Sequence, residues 1–175
     1  ELEIMLHYGS LLDRALILFL AASGLRVGTA LSLTWQNIDF TTFEDIAMIT
    51  VPIKPHTHGL KARFAINTSY YVTFLTPEAK HALLEWKKYL ERRGIQIKPD
   101  TPVFCYIKHG NPTRYTHKAI GDRFRRLLRK CGLATKSVKW HELHLHSLRK
   151  FFNTAMELSG VNQSAKDFMM GHIPS

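Results

Sequence analysis

Residues 22–40 read ASGLRVGTALSLTWQNIDF, and the setting of Arg26 within them decides how the rest of the chain is read. Upstream, the apolar run 15–22 lies in a segment hydrophobic nearly all round, as a helix in the middle of a bundle is. Ser10 and Asp13 have the spacing of a capping box at its start, and Gly24 stops it after Ser23. Downstream, a helical pattern covers 27–33, and Trp35 and Ile38 continue the apolar pattern beyond it. A guanidinium set between such flanks needs an acidic partner or an anionic ligand. Asp13 and Asp39 are the carboxylates at hand for the first alternative.

Working outward, Leu2–Tyr8 forms a short amphipathic helix ended by Gly9. Residues 46–51 and 70–75 are β-rich, as is 62–66, and the Pro-, His- and Gly-containing 52–60 between them reads as a loop. Together they suggest a small antiparallel sheet with an extended hairpin tip. Thr76 and Pro77 begin a helix running to about Arg93. A loop rich in Pro and Gly follows, and then a basic amphipathic helix over 115–131. Its apolar face is Ile120, Phe124, Leu127, Leu128 and Cys131. Two helices, about 146–159 and 162–170, close the chain. The expected fold class is mainly α with a small antiparallel β-sheet (α+β), in one domain over 1–175.

The charge is uneven. Lys and Arg number 24 against 14 Asp and Glu, a formal +10. Residues 101–150 carry 12 basic and 2 acidic side chains, whereas 1–50 carry 2 basic and 6 acidic. Such a block suggests a polyanion footprint rather than general solubility. Lys118, Arg123, Arg125, Arg126, Arg129 and Lys130 are the helix cations expected to meet it, with Lys61 and Arg63 from the hairpin. The apolar run is too short for a membrane span, and the acidic N-terminal residues do not resemble a signal peptide. Two cysteines, Cys105 and Cys131, offer no disulfide framework. An intracellular setting, in the cytoplasm or nucleoid, is expected, compatible with a viral or mobile element as source.

Two further places hold cationic or imidazole groups that a core would not want. His146 and Arg149 share one face of a helix, at its positive end, where an anion is favoured. Gly171-His172 follows the last helix.

In their order and flanks these stretches resemble the tyrosine recombinase (phage integrase) family. ASGLRVGTALSLTWQNIDF is similar to its first arginine box, HSLRKFFNTAM to its His-x-x-Arg box, and MMGH to the Gly-His that precedes the nucleophile. The resemblance implies the catalytic-domain fold of that family and site-specific recombination of double-stranded DNA through a 3′-phosphotyrosine. Arg26 and Arg149 would hold the nonbridging oxygens, since a guanidinium grips two at once. His146 would assist proton removal or bond the phosphate, and His172 would donate to a nonbridging oxygen. A hairpin lysine would protonate the leaving 5′-oxygen. Lys54 fits that place better than Lys61, which is closer to the return strand, though both remain candidates. No metal or other cofactor is implied, and family members assemble as tetramers on DNA.

One departure stands out. The family tyrosine follows the Gly-His pair after a short further stretch, and the sequence here reaches Ser175 first. Residues 1–175 are thus expected to lack both the nucleophile segment and the N-terminal core-binding domain, and to bind DNA without cleaving it. An inactive integrase-like DNA-binding protein and a type IB topoisomerase-like enzyme share the motif set. The run WHELHLH at 140–146 invites a zinc-hydrolase reading but lacks HExxH spacing, leaving His141 and His144 as surface or DNA-facing residues.

Overall fold

Ser10 opens the helix around which the other elements gather. The computed structural model describes residues 1–53, 70–134 and 143–172. After α1 (Leu2–Tyr8), the Ser10 side chain accepts from Asp13 N at 3.3 Å, and the Asp13 carboxylate accepts from Ser10 N at 3.0 Å. The helix so capped, α2 (Leu11–Ser23), buries residues on most of its circumference, among them Ile17, Phe19 and Leu20. Each such side chain contributes about 1.5–3 kcal/mol by leaving water. Gly24 ends it at φ 64°, a left-handed conformation that a side chain would oppose.

Next come α3 (Val27–Ser32) and a 3₁₀ turn, Trp35–Asn37. The apolar pattern at Trp35 and Ile38 is therefore not a continued helix. Asn37 Oδ1 accepts from Thr34 N at 2.9 Å and from Thr34 Oγ1 at 3.0 Å, which closes the turn instead. A three-stranded antiparallel sheet follows, in the order β1 (Ile38–Asp39), β2 (Ala47–Pro52), β3 (Tyr70–Leu75). Its long pairing runs from Ala47 opposite Leu75 to Pro52 opposite Tyr70. Ala47, Ile49 and Val51 alternate into the core, as a half-buried strand requires. The expected strand at 62–66, with Lys54, Lys61 and Arg63, lies outside the described residues.

Thr76 caps α4 (Pro77–Arg92), and Pro77 occupies its first position. Lys80 Nζ donates to the carbonyls of Phe40, Phe43, Glu44 and Ile46 at 2.7 to 3.2 Å, fastening the loop between β1 and β2 to this helix. The stretch read as loop contains a hairpin, β4 (Cys105–Lys108) and β5 (Asn111–Arg114). Pro112 hides it in the sequence, because proline argues against a strand. In a two-stranded ribbon every residue is at an edge, where a missing N–H is tolerated. His109 and Gly110, at φ 48° and 78°, make the turn.

The basic helix α5 (His117–Lys130) buries Ile120, Phe124, Leu127 and Leu128, the face read from the sequence. The last described elements are α6 (Leu145–Leu158) and α7 (Gln163–Met169). The two are joined by Lys166 Nζ on Glu157 Oε1 at 2.7 Å, with the lysine buried. Around α2 pack α1, α4, α6 and β3. Phe19 and Phe104 meet edge to face at 5.1 Å, and Trp86 Nε1 donates to Val103 O at 2.8 Å. No helix among the described residues is long and apolar enough to cross a membrane.

Candidate active site

The end of α2, the start of α6 and the turn after α7 converge on Arg149. This side chain is buried, at 4% exposure. Its Nη1 donates to the Gly24 carbonyl, while Nη2 donates to Met170 O at 3.0 Å. Nη2 also lies 2.8 Å from His172 Nε2. Since the guanidinium can only donate, Nε2 is the acceptor in that contact. His172 Nδ1 faces Asp167 Oδ1 at 3.4 Å. Burial, and then the Arg26 charge, push the Arg149 guanidinium below its ordinary pKa.

Arg26 is the N-cap of α3 and is exposed, not partly buried as its flanks suggested. Neither of its two candidate partners takes it. Asp13 is held by Arg123, whose Nε and Nη2 donate to its oxygens at 2.5 and 2.9 Å. Asp39 is held by Thr42 and Thr41, whose hydrogen bonds keep its carboxyl well below the usual range. Among the described residues Arg26 has no hydrogen bond or ion pair, and it lies close enough to Arg149 for the two charges to repel.

His146 stands exposed in the first turn of α6. Desolvation lowers its pKa, and so do the charges of Arg149, His144, Lys150 and Arg26. The neutral imidazole is thus favoured in a site without bound anion. His144, read as a surface or DNA-facing residue, caps α6. Its Nδ1 accepts from Ser147 N at 3.1 Å, so in the neutral ring the proton is on Nε2. His141 lies outside the described residues.

Tyr71 was missed by the sequence reading, which saw only a strand. It lies on the same face of β3 as Thr73, whose Oγ1 donates to Ser23 O at 2.9 Å and so ties that face to the end of α2. A methyl group added to Gly171 would stand 2.7 Å from Tyr71 Cζ, so the ring lies against the Gly-His turn. Nothing in the local sequence distinguishes Tyr71 from Tyr70; the strand register does, by pairing Tyr71 with Val51.

The basic helix needs a partial correction. Arg123 turns inward to Asp13 and Ser10 and is not part of an outward cationic face. Lys130 Nζ donates to Tyr8 O at 3.0 Å, and Arg125 pairs with Asp122. Lys118, Arg126 and Arg129 are exposed, with no hydrogen bond or ion pair among the described residues. The Tyr106 and Tyr115 rings meet at a tilt, 5.1 Å between centroids.

The site therefore combines two guanidiniums and two imidazoles from separate parts of the chain, with Asp167 touching only the far side of His172. Such a set fits a tetrahedral oxyanion. The chain matches the Phage integrase family over residues 3–174. It belongs to that family. The fold of this phage integrase family member is that of solved tyrosine recombinases. The XerH site-specific recombinase bound to its difH substrate superposes with a TM-score of 0.68 at 20% identity, over 99% of this chain and 46% of that one. XerA recombinase gives 0.70 at 19% identity, over 99% and 54%. The Tn1549 transposon integrase with circular intermediate DNA gives 0.58 at 22%, over 93% and 50%. The chain spans about half the length of each. No curated protein matches it by sequence.

Proposed function

We propose that residues 1–175 are the catalytic domain of a site-specific DNA recombinase that cuts and rejoins strands through a 3′-phosphotyrosine. The observation that carries this is that Arg149 meets Gly24, Met170 and His172 from separate parts of the chain, with Arg26 and His146 near enough for their charges to interact with it. Arg149 is already aimed by two carbonyls. Arg26 is free to close on a phosphate from the other side. Structures of XerH with its substrate before and after cleavage support double-stranded DNA as the ligand.

In the reaction, a tyrosine oxygen attacks a DNA phosphorus and the bond to the 5′-oxygen breaks. Charge that builds on the nonbridging oxygens is met by Arg26 and Arg149; His172, whose Nε2 accepts from Arg149, would donate there only once that contact opens. His146, whose pKa is lowered by desolvation and then by its cationic neighbours, assists removal of the tyrosine proton or hydrogen-bonds the phosphate. Lys54 is proposed to protonate the leaving 5′-oxygen, with Lys61 as the other hairpin candidate. The phosphotyrosine conserves the bond energy, so attack by a 5′-hydroxyl rejoins the strand. The two guanidiniums supply the electrostatic stabilisation without a metal.

The attacking tyrosine is proposed to come from outside residues 1–175. Of the six tyrosines present, Tyr71 alone reaches the arginines, and burial raises its pKa despite them. Tetrameric assembly on DNA belongs to the same proposal. A nicked suicide duplex tests it. The protein carrying the tyrosine should form a covalent adduct on a denaturing gel. Arg26→Ala or Arg149→Ala should slow that adduct by about 10³-fold or more, as loss of an arginine does in other phosphoryl transfers. Residues 1–175 alone should form none. Undiminished adduct in the arginine variants, or an adduct on residues 1–175, would overturn the assignment.

A further inference from the structure

We propose that Tyr71 is a further phosphate-contacting residue of this site, donating its phenolic proton to a nonbridging oxygen held by Arg26 and Arg149. The inference rests on the functional reading above and adds a donor to it. Four observations converge. First, the strand register and the Thr73 bond to Ser23 O turn this face of β3 to the end of α2, three residues before Arg26 in sequence. Second, the ring lies on Gly171: a methyl group there would meet Tyr71 Cε1 at 2.9 Å and its hydroxyl oxygen at 3.0 Å. The hydroxyl is thereby placed one residue from His172, which itself touches Arg149.

Third, burial raises the pKa of the phenol, and the charges of Arg149 and Arg26 act on it in the opposite sense. Fourth, the hydroxyl has no hydrogen-bond partner among the described residues, although its ring is half-buried. A phenol O–H so placed is able to donate to a ligand. Among the neighbours named here, the Gly24 and Met170 carbonyls and His172 Nε2 already accept from Arg149, and Ser23 O accepts from Thr73. A nonbridging phosphate oxygen supplies the acceptor. Burial outweighs the two guanidiniums and keeps the phenol protonated near neutral pH, so it acts as a donor and not as a nucleophile.

Inorganic phosphate is the probe, titrated into the protein labelled at Tyr Cζ and at the Arg and His side-chain nitrogens, with the signals followed by NMR. Arg149, His172 and Tyr71 Cζ should shift together with one dissociation constant. Tyr71→Phe keeps the ring on Gly171 and should weaken phosphate about tenfold, the lower range for a hydrogen bond to a charged group. The amide spectrum of the variant reports its fold, and the wild-type Cζ shift stands independently of the variant. If Arg149 and His172 shift while Tyr71 Cζ stays still and the variant binds equally well, the inference is overturned and the functional reading survives. If phosphate moves none of them, both fall.

Discussion

Gly24 joins the fold to the site, and replacing it with alanine gives a test with an internal control. Its φ of 64° is left-handed, which for alanine costs about 1–2 kcal/mol. The new methyl would also stand 2.3 Å from Phe152 Cδ1, 2.7 Å from Cε1 and 2.8 Å from Cγ. Phe152 is 1% exposed, so its ring has nowhere free to go, and overpacking of that kind adds about 1–3 kcal/mol. The two effects together destabilise Gly24→Ala by about 2–5 kcal/mol. For a chain of this size that lowers Tm by roughly 5–15 °C. Gly132 has a similar φ of 71° but meets nothing within 4 Å, so Gly132→Ala should lose only the backbone contribution, about 1–2 kcal/mol. Urea unfolding followed by circular dichroism measures both variants. Equal losses would refute the argument that Phe152 closes this position.

Salt and pH test the electrostatics. Exchanging Arg126 and Arg129 together for alanine should reduce the slope of log K against log salt for DNA binding by about 2, since each phosphate contact contributes about 0.9. Arg123→Ala should leave that slope alone and instead destabilise the fold by about 1–3 kcal/mol, between exposed and buried pairs, by stranding Asp13. An effect of Arg123 on the slope would mean the pair with Asp13 opens on DNA. His146 has a folded pKa below its ordinary value, so the unfolded chain takes up the proton first. Its contribution to stability is therefore complete above the ordinary histidine pKa and is lost as pH falls through it towards the folded value. A bound phosphate reverses the preference, and DNA binding should take up a proton that His146→Gln does not; equal proton uptake in both would remove His146 from the phosphate site.

The sequence made the helices legible because their ends carry local chemistry. Ser10 with Asp13 and Thr76 with Pro77 cap where their spacing says, whereas the basic helix, read from 115, begins only after its cap Thr116. The ends of α2 and α7 both reach Arg149 on α6, through the carbonyls of Gly24 and Met170. What escaped notice depends on distant partners. Arg123 looks like one more cation on a basic helix until Asp13, 110 residues away, takes it. The flanks of Arg26 suggested burial, yet it is Arg149 that is buried, because Gly24 and Met170 offer it carbonyls that no local pattern shows. The β4–β5 hairpin was masked by Pro112. Tyr71 gains its position only from register and from the bare Gly171 opposite.

Arg149 has one consequence for how the domain becomes competent. Its two carbonyl partners lie 125 and 21 residues away in sequence, one at the end of α2 and one at the end of α7. While the chain is still folding, α6 can coil by itself, but its guanidinium then has no fixed direction. Only arrival of both termini aims it. The arginine thus ties three distant parts of the chain together, and loosening the end of α7 would take away one of the two carbonyls that fix its direction.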